Sequence, residues 1–446
     1  MPQQSYSDVL LIINANSTQS EYIGTYFATQ RNIPDNNVVR IYTTVNETAN
    51  DVQFADIRRQ IETAMINRQL TSSINYIVTT KGMPLKIQRG NQYYNASVNS
   101  ELELILSISS SMIGSYNRFF SPAFGVYSPY TASMWGNMRI STRLDGYTTS
   151  DVIAIIDKSA YAPPKIVSGA KWVMDRDPGW SASVDYLNIN MTNAKTSLDA
   201  KGMNTYLEST FQYVITQSNV IAYNGWAAQD HNWAATGTTY ARQQNSYLPG
   251  AIGETMVSYS ARSFNWPMKY GQSAIADMIA EGITGVKGYV YEPYSSTIAD
   301  VSIVFPMYAD GNSLGDAFRA GSSYCSWQDL VIGDPKCRII NTLIRSGIPT
   351  INEYSQQSRH LVKLIGNYPN IITTSTVITY RVLSSTNINV KVYNNDNKLL
   401  TTIYDGTRAA GNYTVKFNST GLSAGKYTVE LRAGNTCYMY KNFIIK

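Results

Sequence analysis

Up to about residue 345, short and nearly continuous apolar runs alternate with stretches of helical spacing. Asp8–Ala15 (DVLLIINA), Val38–Tyr42 and Ile74–Thr79 read as buried strands. Further strands are expected at Arg139–Leu144, Ala170–Met174, Val220–Tyr223, Ala251–Tyr259 and Gly288–Tyr291. Asp51–Leu70 sets Phe54, Ile57, Ile61 and Met65 on one helical face. Helices are also expected after Ser20 and at Glu101–Ser107, Thr149–Ser159, Ser183–Lys201, Gln272–Glu281 and Ser313–Ser322. Gly202 and Gly282 lie just past two of these, where C-cap glycines belong. Strands alternating with helices imply an α/β fold around a mainly parallel open sheet.

Beyond Pro349 the period changes to two. Thr376–Lys446 alternates strictly (VITYRV, NINVKVY, NYTVKF, KYTVEL), with turn residues at Asn394–Asn397, Gly406, Gly411, Gly421, Gly425 and Gly434. This pattern reads as a small antiparallel β-sandwich. The expected layout is an α/β domain over 1–345, a linker over 346–375 and a β-domain over 376–446.

Composition narrows the classes of function. Only 15% of the 446 residues are charged, against roughly a quarter in typical soluble domains. Tyrosine (34 residues) and small polar residues fill the difference, as suits a secreted or surface protein. The net charge of +5 is spread thinly, and Arg58-Arg59 is the densest basic pair, so nucleic acid is not an expected partner. No run approaches the roughly 20 apolar residues of a membrane helix, and no leader precedes the first strand. Cys325 and Cys337 either pair or remain buried thiols, with Cys437 left over.

In open parallel sheets ligands bind beyond the carboxyl ends of the strands. The residues just past each strand give the candidate binding set Lys81, Arg143, Asn224, Trp226 and Asp334, all expected on one edge. The candidate catalytic residues are His231, Asp145, Ser258 and Glu292. His231 would be a base with Ser258 as its partner, and Asp145 with Glu292 would be a glycosidase-like carboxylate pair. For each residue a cap or turn role is the simpler reading. His360 reads as a surface helix residue. Zinc lacks clustered ligands, so no metal or other cofactor is expected. Calcium at Asp175/Asp177 or Asn394–Asn397 competes with ordinary Asx turns. No phosphate-binding glycine motif occurs.

Two resemblances emerge from longer motifs. The tail carries NYPN (367–370), STVITY (375–380), INVKVYNNDNKLL (388–400), AGNYTVKF (410–417), LSAGKYTVEL (422–431) and KNFIIK (441–446). It resembles the C-terminal sorting domains of type IX secretion and the flagellar-hook-cap Ig-like repeats. Ile371-Ile372-Thr373-Thr374 stand where such tails carry Pro-Phe-Asn-Pro. The body carries LIINANS (11–17), TTKGMPL (79–85), VNSELELI (98–105), STRLDG (141–146), YNGW (223–226), LPGAIGE (248–254), YEPY (291–294), LGDAF (314–318) and WQDLVIGDP (327–335). It is similar to an uncharacterised family of secreted bacterial proteins, which implies a caspase–gingipain type of fold. In gingipain-like peptidases a His-Gly pair and a Cys end adjacent strands. Asn224-Gly225 and the Ser258–Ser260 stretch stand there instead.

Two classes of function are open to such a chain. The first is a non-catalytic extracellular or cell-surface protein, self-assembling or binding surface components such as glycans, with the Tyr-rich stretch Gly114–Trp135 as a contact surface. The second is a secreted peptidase-like or glycosidase-like hydrolase using the strand ends.

Overall fold

A computed structural model describes residues 4–114, 119–121, 123–126, 130–160, 169–180, 182–232, 242–267, 272–339, 362–368, 371–372, 374–382, 385–394, 398–433 and 437–445. The chain forms two units, Met1–Arg345 and Ser346–Lys446.

The first unit begins with the strand β1 (Val9–Asn14), helix α1 (Thr18–Arg31), β2 (Val38–Ile41), α2 (Asp51–Asn67), β3 (Tyr76–Thr80), α3 (Val98–Leu102) and β4 (Ile140–Leu144). Then come α4 (Thr149–Ala160), β5 (Lys171–Asp175), α5 (Tyr186–Ala200), β6 (Asn204–Glu208), β7 (Val220–Gly225) and β8 (Tyr247–Thr255). It continues through α6 (Ile275–Glu281), β9 (Gly285–Tyr289), α7 (Val301–Ala309), α8 (Leu314–Gly321) and β10 (Asp329–Ile332). One sheet joins these strands in the order β6-β5-β7-β8-β9-β10-β4-β3-β1-β2.

Alternation along β1 shows how the layers form. Leu11 and Ile13 face a core with Ile23 and Phe27 of α1 and Ile156 of α4, and this core runs on to Met278 of α6. Leu10 and Ile12 face the opposite core with Phe54, Ile57, Ile61 and Met65 of α2. Further along that face, Trp172 and Met174 of β5 meet Leu187 and Met191 of α5 and Phe305 of α7. Period two in the strands and 3.6 in the helices thus produce three layers. Helix α2 starts on a capping box in which Asn50 and Gln53 satisfy each other's backbone N–H.

β10 breaks the parallel order. It runs antiparallel to β9, and a single parallel-type pair, Ile332 opposite Arg143, joins it to β4. One pair is too short to set strand direction. Contacts between the loops leaving β2, β3, β8 and β9 set it instead. Lys81 Nζ donates to Phe264 O (3.1 Å), Lys86 Nζ to Arg262 O (2.8 Å), Tyr291 OH to Ile87 O (3.3 Å) and Phe264 N to Glu47 Oε1 (2.6 Å). The carboxyl ends of the parallel strands therefore share one edge.

The same topology corrects the placement of Asp334. Lying past an antiparallel strand, it emerges at the amino edge, beside the entry to β1. There it accepts hydrogen bonds from Tyr6 OH and Arg31 Nε, both at 2.7 Å, while Lys336 pairs with Asp8. Burial and the neighbouring Asp334 carboxylate hold the Tyr6 phenol well above its ordinary pKa. Cys325 and Cys337 are separate buried thiols. Cys325 touches Met138 sulfur and Cys337 lies 3.5 Å from Tyr308 OH.

In the second unit, β11 (Val362–Tyr368), β12 (Ile371–Ile372), β13 (Ser375–Val382), β14 (Thr386–Tyr393), β15 (Leu399–Arg408), β16 (Gly411–Asn418), β17 (Gly425–Ala433) and β18 (Cys437–Ile445) form two sheets. Their orders are β11-β13-β16 and β12-β18-β17-β14-β15, antiparallel except for β12 with β18. Ile378, Tyr380, Val390, Phe417, Val429 and Leu431 share one core between the sheets. Strands therefore occupy 362–368 and 371–372, inside the expected linker. His360, Pro349, Asn395–Asn397 and Gly434 lie outside the described residues, as does the side chain of Cys437.

Replacing Asp334 by Ala strands the buried Arg31 guanidinium without its carboxylate. We expect a loss of roughly 3–5 kcal/mol in the urea unfolding of the first unit. A loss under about 1 kcal/mol would show that the pair is not what ties the sheet's amino edge together.

Candidate functional site

The carboxyl edge holds two separate clusters. The first is an ion triad at the ends of β3 and β4. Asp145 Oδ1 lies 3.2 Å from Lys81 Nζ and accepts the Gly146 N–H at 2.8 Å, and Oδ2 accepts Arg143 Nε at 2.7 Å. The two terminal nitrogens of Arg143 donate to Pro84 O (3.1 Å) and Met83 O (2.8 Å). All three residues are buried. The turn that lets Lys81 and Met83 face inward needs Gly82. Its φ is +91°, and a Cβ there would sit 2.1 Å from Ser17 Oγ. Each Arg143 nitrogen donates to a partner within the chain, and the group is 1% exposed, so it holds the turn after β3 in place.

The second cluster lies at the ends of β5 and β7. From β7 to β4 are four strand spacings of about 4.8 Å, roughly 19 Å in all, so the clusters do not merge. Here His231 Nδ1 sits 2.5 Å from Asp177 Oδ2, and the His231 backbone N–H donates to the same oxygen at 2.8 Å. The Gly179 N–H occupies Asp177 Oδ1 at 2.8 Å. Asp177 is buried and the imidazole is 49% exposed, so Nε2 is presented outward by a fixed carboxylate. Trp180 packs edge-on to His231 (5.3 Å) and stacks on Trp226 at 4.6 Å. Trp226 Nε1 donates to Asn188 Oδ1 at 2.8 Å. This pairing of His231 with Asp177 is the part of the site that can move a proton.

Neighbouring carboxyls favour the protonated form. Burial, reinforced by the Asp177 charge, pushes Asp230 up to about 6. Burial also holds Asp175 well above the ordinary carboxylate range, against the hydrogen bond it accepts from Val214 N. Asp175 and Asp177 are thus tied to amides and the imidazole. No group of three or more His, Cys, Asp or Glu side chains among the described residues is arranged to hold a metal.

The remaining candidates are dispersed. Asn224 is fully buried, its amide donating weakly to Glu254 O at 3.4 Å. Ser258 is half-buried, and among the described residues no hydrogen bond joins it to His231. Glu292 is exposed, whereas Asp145 is locked in the triad, so the two do not act as an acid–base pair.

Sequence reasoning missed a titratable group inside the sheet. Glu254 on β8 accepts hydrogen bonds from Tyr289 OH and, at 3.0 Å, from Ala299 N. Burial pushes it from 4.5 up to about 7, although the nearby Lys287 ammonium pulls it down. Lys287 itself pairs with Asp329 at 3.0 Å and donates to Ser322 Oγ at 2.6 Å.

Also missed is a set of exposed aromatic rings on the loops past the carboxyl ends of β8 and β9. Trp266 is 64% exposed, Tyr259 39% and Tyr294 48%. Tyr259 (φ +57°) and Tyr294 (φ +64°, ψ 149°) occupy backbone regions that disfavour bulky residues, at about 1–3 kcal/mol each. No periodicity encodes such positions.

No protein-family model matches the chain, and no curated protein does. Among solved structures it is similar to the complex of Porphyromonas gingivalis RgpB pro- and mature domains (11% identity, 98% of this chain, 100% of that chain, TM-score 0.40). It is also similar to a structure titled only as a protease (14% identity, 98% and 96% coverage, TM-score 0.36). At these values the likeness carries no activity across.

A raised Glu254 means that the native state holds a proton the unfolded chain releases between pH 4.5 and about 7, so its contribution to stability falls as pH rises through that window. The stability of wild type relative to Glu254→Gln should drop by roughly 3 kcal/mol between pH 4.5 and pH 8. Parallel pH curves for the two proteins would refute the assignment.

Proposed function

We propose that the chain is a non-catalytic extracellular or cell-surface protein that works by binding or self-assembly. Its first unit would present the carboxyl edge as a contact face, and its second would serve export and attachment. The observation that carries this reading is the state of that edge. Its buried charges are consumed by Lys81–Asp145–Arg143 and by backbone carbonyls, while aromatic rings stand exposed along it. A face whose buried charges are so committed, and on which rings stand exposed, binds through ring faces and hydrogen bonds. The tail motifs and the low charge support a surface location. They also support export by type IX secretion, with surface components or further copies of the chain as partners. Among the described residues no helix is long and apolar enough to cross a membrane.

A second reading, a secreted hydrolase, rests on one specific observation: the exposed imidazole of His231 held by buried Asp177. A base so placed can activate a water molecule, and removing it from such an enzyme costs about 10²–10⁴ in rate. A panel of peptide and glycoside substrates separates the two readings. We expect no turnover above background and no difference between wild type and His231→Ala. Turnover that falls at least about a hundredfold in the variant would establish the hydrolase.

Self-association has its own test in negative-stain electron microscopy of the purified chain. Ordered sheets or filaments are the expected outcome, and uniformly dispersed monomers would remove the assembly form of the proposal.

A further inference from the structure

The exposed rings sit on loops past the strand ends, each against a second ring, and are taken together as one row. Tyr147, just after β4, packs edge-on to Trp266 at 5.2 Å and is anchored by its hydroxyl to Asp277 at 3.0 Å. From Trp266 the chain leads back through Asn265 to Ser263, whose hydroxyl is fixed by Glu47 at 2.6 Å. Tyr259 packs on Tyr291 at 6.3 Å, and Tyr294 lies nearly parallel to buried Trp327 at 6.4 Å. The exposed rings thus rest on an inner set of anchored rings.

Three features say what such a row is for. The first is strain. Tyr259 and Tyr294 hold left-handed or glycine-like backbone conformations while their rings remain substantially in solvent, so burial does not offset the strain. Exposed residues kept in sparsely populated backbone regions mark ligand contacts more often than packing needs.

The second is that the nearby cations are engaged. Lys86 is committed to Arg262 O at 2.8 Å and lies over the Tyr291 ring at 5.4 Å. Arg262 donates to Tyr259 O (3.0 Å) and Gln272 O (2.9 Å), and Glu47 is taken by Ser263 and Phe264. With these cations committed, a polyanion finds little to bind. The third is that polar side chains interrupt the rings. Asn265 and Glu292 are exposed beside Trp266 and Tyr291, so hydrogen-bonding groups stand next to the rings.

We propose that this row is a platform for a neutral glycan chain. The C–H faces of pyranose rings would stack on Trp266 and Tyr259, and their hydroxyls would bond to Asn265 and Glu292. Rings on a strained, pre-set backbone lose little entropy on binding, which suits a weakly hydrophobic, hydroxyl-rich ligand.

The inference rests on the proposed binding function, and calorimetry of the full chain with cellohexaose, chitohexaose and mannohexaose tests it. We expect at least one hexasaccharide to bind with a Kd on the order of 0.1–1 mM, as weak single-site recognition gives. Trp266→Ala should weaken that binding at least about tenfold. Tyr259→Gly is the decisive variant. It relieves the backbone, so its melting temperature should hold or rise while affinity falls about tenfold.

No heat with any of the three sugars up to about 5 mM overturns the proposal, as does binding indifferent to both substitutions. A hexaproline peptide that binds with the same ring dependence would assign the row to extended peptides instead. The two readings fail separately. Absent sugar binding without turnover removes the glycan alone, whereas cleavage of a bound hexasaccharide removes the non-catalytic reading and keeps the platform.

Discussion

Asp145 is the point from which the carboxyl edge is organised. Its two oxygens engage Lys81 and Arg143, and through those cations the same residue fixes three backbone carbonyls at Met83, Pro84 and Phe264. Two of these belong to the turn after β3, and the third to the loop leaving β8 on the far side of β9 and β10. A buried carboxylate alone would be costly, and so would either cation. Together with the carbonyl acceptors they close a network whose removal in part is far worse than its presence. The loops that leave β3 and β8 therefore stand on a buried, hydrogen-bonded support.

Much of this architecture is legible in the amino-acid sequence. Apolar runs locate β1 to β5, β7, β8 and β9 to within a few residues, and Phe54, Ile57, Ile61 and Met65 mark the buried face of α2. Where the pattern misleads, the reasons are physical. Val301–Ala309 (VSIVFPMYA) is apolar on all sides and contains Pro306, so neither period shows, yet it forms α7 because it is buried. Asp329–Ile332 is too short to declare its direction, and an antiparallel run there sends Asp334 to the opposite edge from its supposed neighbours.

Sites are harder to read than elements for the same reason. His231 and Asp177 lie 54 residues apart, and only the adjacency of β5 and β7 brings them to 2.5 Å. The strand ends point to the imidazole but not to the carboxylate that holds it, which reads by itself as a turn residue. The exposed rings of Trp266 and Tyr259 obey no period at all, since each depends on the conformation of a loop.

Low charge acquires its meaning from where the charges went. A chain with 15% charged residues hides Arg31, Lys81, Arg139, Arg143, Lys287 and Arg319 in its first unit, with Asp145, Asp175, Asp177, Glu254 and Asp334 beside them or elsewhere in that interior. Burial raises some of these carboxyls, Asp175 and Glu254 among them, above the ordinary carboxylate range. Charge that usually covers a surface is thus drawn inward to hold loops and strands. Exposed along the carboxyl edge stand Tyr259, Trp266, Tyr294 and Asn265, with Glu292 and the His231 imidazole among them. Contacts made by such a face owe little to ion pairing, so salt would screen them only weakly.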